Sequence, residues 1–273
     1  MTGHGPGGSG LLDAIVAATR TVVASRRARA PLASLLRLAE WREPRGNAFR
    51  DALAAPGRVN LIAECKRRSP ARGVLARHYD PAAIARAYAG AGAAAISVLT
   101  EPMFFDGSLA HLEAVRTAVD LPLLRKDFIV DDYQLAEARA CGADAVLLIA
   151  SALNDGALAA LSERARDLGL AVIVEVHDAQ ELRRAVDLGA AIIGVNSRNL
   201  RTLEVDLSVC ESIGPRIPRG IVGVAESGVK TADDVRRLQG AGYRALLIGE
   251  RLMTAPDAGA AFAALRQDTA PGR

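Results

Sequence analysis

Leu61-Ile62-Ala63-Glu64-Cys65-Lys66 is an apolar run that ends in a carboxylate and an amine. The same design recurs along the chain. Leu121-Pro122-Leu123-Leu124-Arg125-Lys126 ends in two bases, Ala171-Val172-Ile173-Val174-Glu175 in an acid, and Ala191-Ile192-Ile193-Gly194-Val195-Asn196 in an amide. Short apolar runs separated by helical patterns read as parallel strands buried on both faces. An ionisable residue at the C-terminal tip of such a strand has one comfortable place to go, the mouth of a closed barrel, where loops build a site. The pattern predicts an α/β chain folded as a (β/α)8 TIM barrel, with acid–base chemistry at its mouth.

Working outward, strands are expected near 60–66, 94–99, 121–126, 144–149, 171–175, 191–195, 221–225 and 244–248. Helical patterns fall near 80–91, 108–119, 131–141, 155–168, 178–189, 206–213, 231–241 and 257–267. Glycine closes several of them, at Gly92, Gly142, Gly169, Gly189 and Gly242, the usual C-terminal position. Asp80-Pro81 and Asp106-Gly107-Ser108 are helix starts. Regular strand–helix alternation favours a closed barrel over an open sheet.

Ahead of the first strand, Leu12, Ile15, Val16, Thr19 and Val23 mark a helix over 11–29. A shorter helix follows near 31–41, then a polar stretch through Gly57. Residues of about 11–57 thus form an N-terminal helical extension that caps the rim or bottom of the barrel. The whole of 11–273 is expected to be a single domain. Residues 1–10, rich in glycine and without the apolar core of a signal peptide, are expected to be a disordered tail.

At 273 residues the chain has the length of one such barrel, and its 50% hydrophobic and 24% charged residues are ordinary for a globular protein. The net charge of +3 is interspersed with acidic residues, so nucleic acid is not an expected partner. No apolar run is long enough to cross a membrane, so no membrane partner is expected. Cys65, Cys141 and Cys210 lie far apart with no CxxC pair, which suits a reducing, cytoplasmic setting and buried apolar roles. Of four histidines, His4 lies in the tail, His78 and His111 lie near helix starts, and His177 is expected to help cap the helix after strand five. No cluster has metal-ligand spacing, and no Rossmann or Walker glycine pattern occurs. The expectation is an enzyme with no metal and no cofactor.

The strand tips supply the chemistry. Lys66 and Lys126, on strands one and three, could bind an anion or act as a general acid. Burial would lower a lysine's pKa, and neighbouring Glu64 or Glu175 would oppose that. Glu175 and Glu64 are a general base or partners that orient the lysines. Asn196 could hold a carboxylate, hydroxyl or carbonyl oxygen, and Arg198 a carboxylate or an aromatic face. Strand seven ends Ala225-Glu226-Ser227-Gly228-Val229 and strand eight Ile248-Gly249-Glu250, the pair of tips where barrels bind phosphate on backbone N–H groups. Two other activities suit such a barrel: a Schiff-base aldolase, and a non-catalytic phosphosugar-binding protein.

Seven motifs taken together resemble the indole-3-glycerol-phosphate synthase family. They are Leu61-Ile-Ala-Glu-Cys-Lys-Arg-Arg-Ser-Pro70, Leu99-Thr-Glu-Pro102 with Phe105-Asp-Gly-Ser108, Leu124-Arg-Lys-Asp-Phe128, Ile173-Val-Glu-Val-His177, Gly194-Val-Asn-Ser-Arg-Asn-Leu200, Val224-Ala-Glu-Ser-Gly228 and Leu247-Ile-Gly-Glu250. They occur in the family order, one per strand end, and the resemblance runs from about residue 11 to 267. It implies a carbon–carbon lyase of tryptophan biosynthesis that closes, decarboxylates and dehydrates 1-(2-carboxyphenylamino)-1-deoxyribulose 5-phosphate. By this resemblance Lys126 is the general acid, Glu175 the general base, and Lys66 a second acid or anion binder. Glu64, Asn196 and Ser227 position these groups and the substrate. The phosphate is assigned to Ser227, Gly228, Gly249 and Glu250, with Glu226 beside them. Phe105, Phe128, Leu147 and Leu200 line the ring pocket, and Ser69 and Arg198 lie near the ring carboxylate. The resemblance implies a small phosphorylated substrate and a monomer or weak homodimer. Two positions depart from the pattern. Cys65 replaces a more usual aliphatic residue and is expected to face the barrel wall, while Arg251 replaces a small hydroxyl residue and either touches the phosphate or points to solvent.

Overall fold

The apolar runs form eight parallel strands that close on themselves: β1 (Asn60–Cys65), β2 (Ala95–Leu99), β3 (Leu123–Lys126), β4 (Ala145–Ile149), β5 (Ala171–Val176), β6 (Ile192–Asn196), β7 (Val222–Glu226) and β8 (Ala245–Ile248). This is a computed structural model, and it describes residues 10–57 and 59–267. Each strand pairs with the next in sequence, and β1 pairs with β8, Asn60 opposite Ala245 and Ala63 opposite Ile248. The chain is a (β/α)8 barrel, as its strand spacing predicts. The expected tail falls almost wholly outside the described residues. No helix among those described is long and apolar enough to cross a membrane.

Side chains alternate across each strand, so every second residue faces the barrel interior. Ile62, Leu124, Leu147, Ile173, Ile192, Val224 and Leu247 fill that interior. Their neighbours, among them Leu61, Ala63, Cys65, Val98, Val146 and Val195, face the helices in a second cluster. The alternation decides which strand-tip charges reach the mouth. In β3, Leu124 and Lys126 share the inner parity, so Arg125 points outward. It is fully buried beneath α6 (Asp132–Ala140), where it meets Asp127 Oδ2 at 2.8 Å, Glu137 Oε2 at 3.2 Å and the Gln134 carbonyl at 2.6 Å. Cys65 likewise faces the helix layer, 3.9 Å from the Pro81 carbonyl.

The remaining barrel helices are α4 (Pro81–Gly90), α5 (Leu109–Ala118), α7 (Asp155–Asp167), α8 (Ala179–Asp187), α9 (Ser208–Ile213), α10 (Ala232–Gly240), α11 (Glu250–Met253) and α12 (Ala258–Gln267). The predicted starts carry real caps: Asp80 accepts from the Ala83 N–H at 3.0 Å, and Ser108 from the His111 N–H at 3.2 Å.

The extension holds three helices, α1 (Leu11–Arg29), α2 (Leu32–Glu40) and α3 (Gly46–Ala54). The stretch read as merely polar up to Gly57 therefore contains a helix. Phe49 and Leu53 on α3 are fully buried and join the interior cluster, so this helix seals the N-terminal end of the barrel. Gly46 lets it approach. Its N–H donates to the Gly169 carbonyl at 3.1 Å, and a Cβ there would lie 2.6 Å from the Ala171 nitrogen. At the other end, Leu12 and Ile15 of α1 pack with the same interior cluster beside Phe105, Phe128 and Leu200. A second feature absent from the sequence reading is the small hairpin of Arg68–Ser69 with Gly73–Val74, after β1.

Candidate active site

The inward parity of the strand tips gathers Glu64, Lys126, Glu175, Asn196 and Glu226 at the floor of a cavity of about 490 Å³. Lys126 Nζ lies 3.1 Å from Glu175 Oε2 and 3.5 Å from Glu226 Oε2. Lys66 Nζ lies 2.5 Å from Glu64 Oε1. Glu175 and Glu226 are almost completely shielded from solvent. Three carboxyl groups thus share two ammonium groups in a largely buried space, where charge is costly unless paired.

That arithmetic sets the protonation states. Burial pulls the Lys126 ammonium down, but Glu175, Glu226 and Glu64 together outweigh it, and the amine is held above its ordinary value, protonated at neutral pH. Burial pushes the Glu175 carboxyl up, but Lys126 and His177 reverse this and hold it well below the carboxylate range. Glu226 is left without a cation of its own. Burial, helped by Glu175 and Glu64, pushes it up to about 8, and neither of its oxygens has a hydrogen-bond partner among the described residues. The site therefore offers a charged acid, an ionised base and one retained carboxyl proton.

Around this floor the cavity has two unlike walls. On the β2–β4 side stand Leu99, Phe105, Phe128, Leu147 and Ile149, with the two phenyl centroids 6.0 Å apart. On the β7–β8 side stand Ser227, Gly228, Gly249 and Glu250. Ser227 and Gly228 both lie in the left-handed region, at φ 66 and 82, which is unusual for a serine and marks a backbone held in shape for a purpose. Asn196 Oδ1 accepts from the Arg198 N–H at 2.9 Å, leaving the amide N–H groups for the cavity. Glu250 bridges two loops at the rim, with Arg198 Nη2 at 3.1 Å and Arg72 Nε at 3.2 Å.

Of the residues singled out from the sequence, Lys126, Glu175, Lys66, Glu64, Asn196, Ser227, Phe105, Phe128, Leu147, Arg198, Leu200, Glu226, Gly228, Gly249 and Glu250 all line this cavity. Ser69 lines a side recess of about 50 Å³ instead, with Leu11, Ile15, Phe105 and Arg198, and its hydroxyl has no hydrogen-bond partner among the described residues. Arg251 is exposed at the cavity edge. Sequence reasoning missed Arg72, on the unforeseen hairpin, and the part of His177 that faces the site. The cap of α8 is Asp178, which accepts from the N–H groups of Gln180 and Glu181. His177 does meet the first turn of α8, through Glu181, but the other side of its ring faces the site, with Nε2 3.3 Å from Glu175 Oε1. The i, i+4 spacing of His177 and Glu181 at a helix start was the available signal.

Fold and mouth together define a (β/α)8-barrel enzyme with a buried ammonium–carboxylate pair at its centre. A family model described as indole-3-glycerol phosphate synthase matches residues 12–265. The chain is 52% identical over 249 residues to an indole-3-glycerol phosphate synthase of Parafrankia sp. (strain EAN1pec), covering 90% of this chain and 91% of that one. It is 49% identical over 262 residues to the enzyme of that name from Laribacter hongkongensis (strain HLHK9), covering 94% and 99%. Among solved structures, a thiamine phosphate pyrophosphorylase from Pyrococcus furiosus is similar at a TM-score of 0.61 and 20% identity, covering 81% of this chain and 96% of that one, a likeness of fold alone. The chain belongs to the indole-3-glycerol phosphate synthase family.

Proposed function

We propose that the chain converts 1-(2-carboxyphenylamino)-1-deoxyribulose 5-phosphate into indole-3-glycerol phosphate, CO2 and water, the carboxy-lyase step of tryptophan biosynthesis. The observation that carries the assignment of roles is the 3.1 Å pairing of Lys126 with Glu175 at the cavity floor, between an apolar wall and two glycine loops. The substrate has an anion at each end and a benzene ring between. The ring and its carboxylate go to Phe105, Phe128, Leu147 and Leu200, with Arg198 and Ser69 beside the carboxylate. The phosphate goes to the backbone of Ser227, Gly228, Gly249 and Glu250.

In this reading the ring carbon bearing the carboxylate attacks the ribulose carbonyl as Lys126 protonates the carbonyl oxygen. Loss of CO2 returns the bonding electrons to the ring. Lys66 then supplies the proton that lets the new hydroxyl leave as water, and Glu175 takes the proton whose loss completes the pyrrole. Glu64 holds Lys66, Asn196 offers its amide to a substrate oxygen, and Glu226 buffers the charge beneath Lys126. An aldolase would need Lys126 as a free amine, whereas three carboxyl groups keep it protonated. All the proposed groups come from one chain, which supports a monomer or weak homodimer, and three buried free thiols support a cytoplasmic location.

The test is indole fluorescence after mixing the protein with this substrate in the presence of a chelator. Wild type forms the indole product, while Lys126→Ala and Glu175→Gln lose at least about 100-fold in kcat, the usual worth of a positioned acid or base. Substrate binding without indole formation by the wild type would refute the assignment.

A further inference from the structure

We infer that His177 is a positioning residue for this reaction: clamped between Glu181 and Glu175, it aims the Glu175 carboxylate and supplies the counter-charge that remains once Lys126 has given up its proton. The inference rests on the reading of Lys126 and Glu175 as acid and base.

The geometry is a four-residue line running from helix to substrate. Glu175 Oε2 faces Lys126 Nζ at 3.1 Å, and its other oxygen, Oε1, faces His177 Nε2 at 3.3 Å. Neither Oε1 nor Nε2 meets hydrogen-bond geometry with any described residue, one another included, so the 3.3 Å ion pair between them is what answers their burial. The far side of the imidazole is fixed: Nδ1 lies 3.0 Å from Glu181 Oε2, and that same oxygen accepts the His177 backbone N–H at 2.8 Å. One carboxylate on the first turn of α8 thus holds both the ring and the main chain of His177. The ring has acidic partners on both sides, Glu175 on β5 and Glu181 on α8. Beyond Glu175 stand Lys126 on β3, Glu226 on β7 and Glu64 on β1. Burial lowers the imidazole, but the two flanking carboxylates overcome this and push it up to about 10.

The mechanism makes a demand that this arrangement meets. At rest Glu175 is flanked by two cations. When Lys126 protonates the substrate carbonyl it becomes neutral, and Glu175 would stand as a buried anion beside Glu226 with nothing opposite it. Such a carboxylate takes up a proton early and is no longer a base when the dehydration arrives. With His177 charged and fixed, Glu175 keeps one cation through the decarboxylation.

The test uses the full-length protein with 15N-labelled histidine. The His177 ring resonances, assigned by their loss in His177→Asn, are expected to show an imidazolium up to at least about pH 8, and Glu181→Gln to move that titration downward. In steady-state kinetics, His177→Asn is expected to leave KM for the substrate nearly unchanged. Its acid-side loss of kcat should move to higher pH by roughly one to three units, because a neighbouring cation lowers a carboxyl by that much. A purely structural role would lower the profile without moving it. An imidazole titrating near the ordinary histidine value of about 6.5, or a His177→Asn profile of unchanged shape, would overturn the inference. If His177→Asn does not fold, His177→Gln supplies both the assignment and the kinetic comparison. Full activity in Glu175→Gln would instead overturn the acid–base reading, an outcome separable from the resting-state titration.

Discussion

At the residue scale, the buried carboxyl groups are accommodated by what faces them as much as by what charges them. A Cβ at Gly194 would lie 2.1 Å from Glu226 Oε1, and one at Gly249 would lie 2.2 Å from Glu64 Oε1. Two glycines on β6 and after β8 therefore make the room in which two acids sit, and a side chain at either position would displace the carboxyl group from its place. Gly194→Ala is expected to fold with a loss of about 1–3 kcal/mol and to lower kcat by roughly tenfold or more, since a displaced Glu226 carries Lys126 with it; chemical denaturation and the indole assay read the two effects. Their place at the ends of apolar runs made Glu64, Lys126, Glu175 and Asn196 legible as site residues in the sequence, whereas Lys126 is separated from Arg125 only by the inward parity of the folded strand. Gly249 was legible only as a place for an anion to approach, because its conflict with Glu64 crosses from the last strand to the first. His177 was read only in part for a similar reason: its place at the start of α8 was visible, but the second face of its ring depends on where Glu175 ends.

At the scale of elements, the barrel strands and their helices announce themselves, whereas the extension does so only in part. The apolar stripe of α1 is long enough to be seen, and its burial of Leu12, Ile15, Thr19 and Val23 follows that stripe. The nine residues of α3 carry only Phe49 and Leu53 as buried large anchors, among arginines and after Pro44, so no periodic window forms. Only the open end of the barrel gives that helix a reason to exist. Helix α1 is tied down far from the cavity by Arg26, 3.0 Å from Glu137, and by Arg27 with Asp131 and Asp132. Its other end brings Leu11 and Ile15 against the recess beside Phe105 and Phe128. Ile15→Ala is expected to cost about 2–5 kcal/mol of stability and to raise KM more than it lowers kcat, because it removes a wall rather than a reacting group. Thermal unfolding and a substrate titration check both; an unchanged KM would sever α1 from the site.

Over the whole molecule, the crowded floor makes stability depend on pH. The Glu226 carboxyl is pushed up to about 8 in the folded protein, against about 4.3 in an unfolded chain. Between those values the folded state keeps a proton that the unfolded state has released. Its contribution is therefore full below about pH 4.3 and is lost as pH rises toward about 8. Glu226→Gln, which mimics the protonated acid, should abolish this loss. Relative to wild type, its stability is expected to rise between about pH 5 and about pH 8 by at most about 1.4 kcal/mol per pH unit, as urea unfolding at several pH values would record. The closure of the barrel has a consequence of another kind. β1 is among the first strands to leave the ribosome, yet its second neighbour, β8, begins only at Ala245. Until then one edge of the nascent sheet has its N–H and C=O groups unclaimed, open to water, chaperones or another chain, and the last strand to emerge completes the first.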